Sequence, residues 1–272
     1  FNKKNFRIAL SHALNREEIN NTRFKGMYGT PSSPAPPDGP PYYGESEQFH
    51  RYAKYDPDLA NKLLDELGLK WDAKNEERVR PDGKPLNITM LVYIGWGQSV
   101  EVSEMYKKYW DDVGINVNLR PLSSSLQSQQ RAASQHDLSF GPVNWGGRRP
   151  IIALLRGEQT PLGPDWKINP KWGAWIMSDG KQGEEPPEAA KRLRELHLLF
   201  TAEADPAVRQ KYEEELYKIH CDEFWALTSI KQPADLPQVY YTPIHNSLKN
   251  VASPVAPEWY YCQTSTWYRE AE

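Results

Sequence analysis

Apolar residues recur every three or four positions in some stretches and every second position in others, and the order of these two periods sets the expected architecture. Phe6, Ala9, Leu10 and Ala13 fall on one helical face, and Asn15 with Glu18 three residues later forms the capping box of a second helix. From Met27 to Glu45 six prolines and interspersed glycines exclude a helix or a central strand, leaving a long loop or arm. Asp56-Pro57 then caps a helix carrying Leu59, Leu63, Leu64 and Leu67. Gly68 provides its left-handed exit, and Leu69 can fold back on Leu64.

After the turn Arg80–Pro85, the residues Leu86, Ile88, Met90, Val92 and Ile94 alternate as in a strand. Val102, Met105, Tyr106, Tyr109, Trp110 and Val113 return to helical spacing, and Ile115, Val117 and Leu119 alternate again after Gly114. A polar helix over 123–135 and a third strand over 137–143 extend this to β-α-β-α-β, an α/β pattern. Residues 144–187, rich in Trp, Gly and Pro, have no period and are expected to run over the surface, where sites are often built. Ala189, Leu193, Leu196, His197 and Phe200 make one helix. Asp205-Pro206 caps the next, with Val208, Tyr212, Leu216 and Ile219, and the two form an αα-hairpin. A strand is expected over Trp225–Ile230, followed by a proline-punctuated tail.

Charge and composition narrow the function classes. With 33 basic and 36 acidic residues, the chain has no broad cationic field for a nucleic-acid backbone or an anionic membrane. No apolar run approaches the roughly 20 residues that cross a bilayer. Ten Trp and fifteen Tyr exceed ordinary packing needs, so some rings are candidates for a binding groove. Cys221 and Cys262 are too few for a disulfide scaffold and are expected unpaired. The six histidines include no metal-binding pair, and His197 and His220 read as packing residues. No nucleophile elbow or selected carboxylate pair points to catalysis. No cofactor is implied: Gly95-Trp96-Gly97 stands between a strand and a helix but has Val100 in the third glycine position, so it is not a nucleotide fingerprint. Those glycines instead allow close backbone approach, with Tyr93 and Trp96 beside a cavity. Asn144–Pro150 places Trp145, Arg148 and Arg149 on a glycine hinge, an aromatic platform with guanidinium forks.

The motif order resembles the C-terminal part of the family 5 extracellular solute-binding proteins. The residues that carry the likeness are Phe6–Ile19, the proline arm, Tyr55-Asp56-Pro57 through Gly68, Asp82-Gly83-Lys84-Pro85-Leu86, and Trp110 to Ile115 ahead of a strand. The resemblance implies a lobe of periplasmic-binding-protein type II kind, a mixed sheet flanked by helices, with the N-terminal lobe absent. Residues 1–233 would form this lobe and 234–272 a tail returning to the missing one. It further implies a monomeric, periplasmic or cell-surface receptor, lipid-anchored or secreted, that works with an ABC permease and is not an enzyme. The alternatives are the ligand-sensing domain of a transcriptional regulator, or a carbohydrate-active enzyme.

In the family's oligopeptide receptors the loop matching Asn144–Pro150 carries a Trp and then an acid that pairs with the peptide amino terminus. Trp145 is kept here, Arg148 stands at the acid's position, and Arg149 stands where an Asp often precedes the proline. Positive charge repels an amino terminus. An oligosaccharide therefore competes with an oligopeptide as the expected ligand.

Overall fold

The computed structural model describes residues 3–27, 50–95, 97–141, 160–163, 166 and 168–227, together with the backbone of two short strands at 244–245 and 268–269. The chain opens with helices α1 (Lys4–His12) and α2 (Arg16–Phe24), followed by α3 (Pro57–Glu66). Each expected cap is made: Asn15 Oδ1 accepts from Glu18 N at 3.0 Å, and Asp56 Oδ1 from Leu59 N at 3.0 Å. At the end of α3, Gly68 has φ +79°, and the Leu69 amide donates to the Leu64 carbonyl at 3.1 Å. This is the left-handed stop that the glycine predicts.

A two-residue ribbon, β1 (Lys70–Trp71) against β2 (Arg78–Val79), leads into β3 (Ile88–Tyr93), α4 (Ser99–Asp111), β4 (Val117–Leu122), α5 (Ser124–Ala132) and β5 (Leu138–Phe140). These three strands form a parallel sheet in the order β4-β3-β5, with Ile88 opposite Val117 and Met90 opposite Leu138. Right-handed crossovers from β3 outward to β4, then back past β3 to β5, place α4 and α5 on opposite faces. Central β3 is consequently buried on both sides: Leu91 is as inaccessible as Val92, although the alternation read from sequence assigns it to the other face. Pro121 is tolerated in β4 because that strand lies at the sheet edge.

The second half contributes α6 (Pro170–Met177), α7 (Glu188–Ala202) and α8 (Pro206–Glu223); β6 (Ile244–His245) pairs antiparallel with β7 (Tyr268–Arg269). Helix α6 falls where sequence periodicity is silent, and its start is set by Asn169, whose side chain accepts from Lys171 N and Trp172 N, with Pro170 in the first turn. Trp225–Leu227 are not in a strand, and the rest of the strand expected there lies outside the described residues.

Among the described residues two hydrophobic cores result. One joins α1–α4 to the sheet around Leu10, Leu64, Val92 and Trp110; the other joins α7 and α8 around Trp166, Leu193, Leu196 and Tyr217. Arg7 ties them together: its Nε donates to the Phe224 carbonyl at 2.8 Å and its Nη2 to the Glu223 carbonyl at 2.6 Å. Arg51 adds an ion pair to Asp222 at 3.1 Å.

The α7–α8 hairpin is clasped by Arg192, which grips Glu215 through two hydrogen bonds of 2.6 and 2.8 Å. That grip holds the Glu215 carboxyl below the usual glutamate range. A depressed carboxylate pKa stabilises the fold above the unfolded value, and the contribution is lost as pH falls through the folded one. Glu215→Gln is therefore expected to cost stability at pH 7 but little at pH 3, measured by urea unfolding at both. An equal cost at the two pH values would contradict the pairing.

Candidate functional site

Because the strand order reverses at β3, the carboxyl ends of β3 and β5 flank a topological switch point, the place where open parallel sheets leave a crevice. A cleft of ≈ 650 Å³ lies beside β5, between the two cores. This size falls in the range of small-molecule sites, about 300–1,000 Å³. Met90, Tyr106 and Phe140 line it from the sheet side, and Ile168, Trp172 and Trp225 from the helical side.

Tyr93, the last residue of β3, lines this cleft, as its place before the glycine pair predicts. Its ring occupies the space that a side chain at residue 95 would need, so a Cβ on Gly95 would collide with the Tyr93 hydroxyl. A Cβ on Gly141, at the end of β5, would meet Tyr93 Cβ at 3.2 Å. The close approach expected of Gly95 is thus to the chain's own Tyr93. Gly95→Ala is expected to leave the urea midpoint nearly unchanged but displace the Tyr93 ring, altering ligand affinity by threefold or more, about 0.7 kcal/mol. Unchanged affinity would remove Tyr93 from the site.

The other four residues expected to bind ligand, Trp96, Trp145, Arg148 and Arg149, lie outside the described residues. They follow directly in sequence from the carboxyl ends of β3 and β5.

Sequence reasoning missed several cleft residues. Gln127 on α5 is 7% exposed, and its amide donates to the Phe140 carbonyl at 3.0 Å and the Leu91 carbonyl at 3.4 Å, fastening the helix to both strands. Arg131 ends the same helix, and His136 follows it. Burial and then the Arg131 charge lower the His136 imidazole pKa from its ordinary value, and its Nδ1 is buried with no hydrogen-bond partner among the described residues. Trp172 is positioned by its neighbour Gly173, where a Cβ would strike the Gly163 carbonyl and push α6 away. Trp225 follows α8, with the buried His220 edge-on to it at 6.0 Å.

Chemically the residues lining the cleft bring rings, amides, hydroxyls, the His136 imidazole, two guanidiniums (Arg7 and Arg131) and two carboxylates (Asp137 and Glu223). Burial pushes the Cys221 thiol up to about 11, so it is not a ready nucleophile, and Cys262 lies outside the described residues. Among the described residues no group of three His, Cys, Asp or Glu could hold a metal ion, and no helix is long and apolar enough to cross a membrane.

Comparison with known proteins places these features. The family model of bacterial extracellular solute-binding proteins, family 5, middle part, matches residues 1–150. The oligopeptide-binding protein OppA of Lactococcus lactis subsp. cremoris is 32% identical over 118 residues, covering 43% of this chain and 19% of its own length. Among solved structures, an oligopeptide-binding protein OppA superposes with a TM-score of 0.73 at 34% identity, over 85% of this chain and 37% of that one. The periplasmic binding protein MelB of Agrobacterium fabrum, in complex with stachyose, shares the fold at a TM-score of 0.68 and 18% identity, over 85% of this chain and 34% of that one. The chain thus spans about a fifth of the curated relative's length and just over a third of these structures.

Proposed function

Because the chain belongs to the bacterial extracellular solute-binding proteins of family 5, we propose that it forms one lobe of a receptor that captures an oligopeptide or oligosaccharide and delivers it unaltered to an ABC permease. The observation that carries this reading is the cleft at the sheet's switch point, lined by Tyr93 at the end of β3 and by Phe140 and Gly141 at the end of β5. Binding between lobes that close by hinge motion would sequester the ligand with Trp96, Trp145, Arg148 and Arg149 at the closing face. Residues 234–272 would return to the opposing lobe. The receptor would act as a monomer outside the cytoplasm, held by a lipid anchor or secreted. No catalytic role is assigned to any residue, since the cleft needs only to hold its guest.

A thermal-shift screen of the chain against neutral peptides and neutral oligosaccharides tests this. A ligand that binds only the folded state raises Tm by mass action, so one class should produce a concentration-dependent rise. No rise with either class would overturn the reading.

A further inference from the structure

The cleft lies between two cores that meet at a small joint, and the joint holds two unusual backbone positions. Tyr52 and Phe224 have φ of +63° and +54°, the left-handed region that glycine or asparagine normally supplies. Their rings touch edge to face, with centroids 5.0 Å apart. A non-glycine residue keeps such a conformation only where its surroundings over-determine it, and such positions gather at ligand clamps and switches.

The two sides of the joint are built differently. On the sheet side, the carbonyls of three successive residues are engaged. Ser11 Oγ donates to that of Tyr52 at 2.8 Å, Arg16 Nη1 to that of Ala53 at 3.0 Å, and His12 Nδ1 lies 2.9 Å from that of Lys54. Tyr52 is thereby fixed to α1 and α2. On the helical side, Phe224 ends α8; it is fully buried but packs within neither core. Trp225 packs on the helical core and Leu227 on the sheet core, so the chain crosses from one to the other directly after Phe224. Polar contacts hold this crossing: the two bonds from Arg7 to the Glu223 and Phe224 carbonyls, and the Arg51–Asp222 ion pair.

We infer that Phe224 is a pivot on which α6, α7 and α8 swing against the sheet, and that Arg7 is its clasp. Residues at element ends that absorb a change in φ and ψ are where hinges form, and Phe224 is one. This movement lies inside the lobe and is separate from the closing of one lobe on another. Trp172 and Trp225 travel with the helices, so the joint sets their distance from Met90, Tyr106 and Phe140 across the cleft. Helix α5 also touches α6, and the swing changes that contact. Releasing the clasp leaves the α7–α8 hairpin whole, because the Arg192–Glu215 grip and the core beneath it lie on the moving side.

Spin-label distances in the full chain test this without a ligand, so the outcome bears on the joint and leaves the receptor reading untouched. Labels on Gln129→Cys in α5 and Lys211→Cys in α8, both exposed positions, span the cleft; Glu188→Cys with Lys211→Cys spans the hairpin alone. Cys262→Ser removes one native thiol, and Cys221, 0% exposed, escapes labelling. Arg7→Gln is expected to lengthen or broaden the cleft-spanning distance by about 2 Å or more while the hairpin distance stays unchanged. A folded Arg7→Gln chain whose cleft-spanning distance is unaltered overturns the joint. An equal change in both pairs overturns it too, since the hairpin would then have come apart rather than swung. Should Arg7→Gln fail to fold, Arg51→Gln, which removes only a half-exposed ion pair, reads the same two distances. A change confined to the cleft-spanning pair supports the pivot there, and no change overturns it.

Discussion

Arg78→Met is expected to lower the unfolding free energy by about 3–5 kcal/mol, read as a fall in the urea midpoint at unchanged slope. Arg78 is 1% exposed on β2 and serves both helices that flank it. Its Nε donates to the Val113 carbonyl at 2.9 Å, just beyond α4. Its Nη1 bonds the Leu69 carbonyl, just beyond α3, and Asp65 Oδ1 at 2.6 Å; its Nη2 bonds Asn61 Oδ1 at 2.8 Å. The guanidinium also lies 4.9 Å from the Trp71 ring centre. Methionine fills much of the volume but leaves these carbonyls without a donor. Most of the loss comes from that, because Asp65 itself is 62% exposed and can turn to water. Arg78→Lys should recover little, since an ammonium cannot reproduce the divergent fork. A loss below about 1 kcal/mol for methionine would contradict this role.

Trp145→Ala is the substitution expected to cost most in ligand binding, about 1–4 kcal/mol, if that ring is a central anchor of the closed receptor. The size follows from what a buried indole contributes at the centre of a contact, against near-neutral positions around it. Calorimetry on the intact receptor reads it directly, and unchanged affinity would refute the anchor. Arg148→Asp is the complementary probe: placing an acid where the resemblance to the family's peptide receptors implies one should strengthen binding of ligands with a free amino terminus and leave neutral oligosaccharides nearly unaffected.

The sequence foretold those parts of the molecule in which one local rule governs one local outcome. Asn15, Asp56-Pro57, Gly68 and Asp205-Pro206 begin or end helices as their chemistry requires, because caps depend only on neighbours in the chain. The β-α-β-α-β order was legible from periodicity, and Tyr93 could be placed beside a cavity from the glycines that follow it. What escaped depended on distant contacts. Arg7, Arg16 and Arg78 carry charge, and arginine is seldom fully buried, yet each of these is buried because backbone carbonyls from other elements converge on its guanidinium. Helix α5 was legible as a polar helix, but nothing in its spacing marks Gln127 as the residue that is buried against the Leu91 and Phe140 carbonyls. Trp172 belongs to a helix whose Asn169-Pro170 start was readable but was hidden within an aperiodic, tryptophan-rich stretch.

The central claim is that this chain presents a cleft that holds a small oligomeric solute without changing it. Isothermal titration of the chain with the best ligand from the thermal screen, followed by chemical analysis of the recovered solute, tests it most directly. The account predicts saturable binding near one equivalent and recovery of the ligand intact. Turnover of the solute, or no heat with any peptide or oligosaccharide, would contradict it.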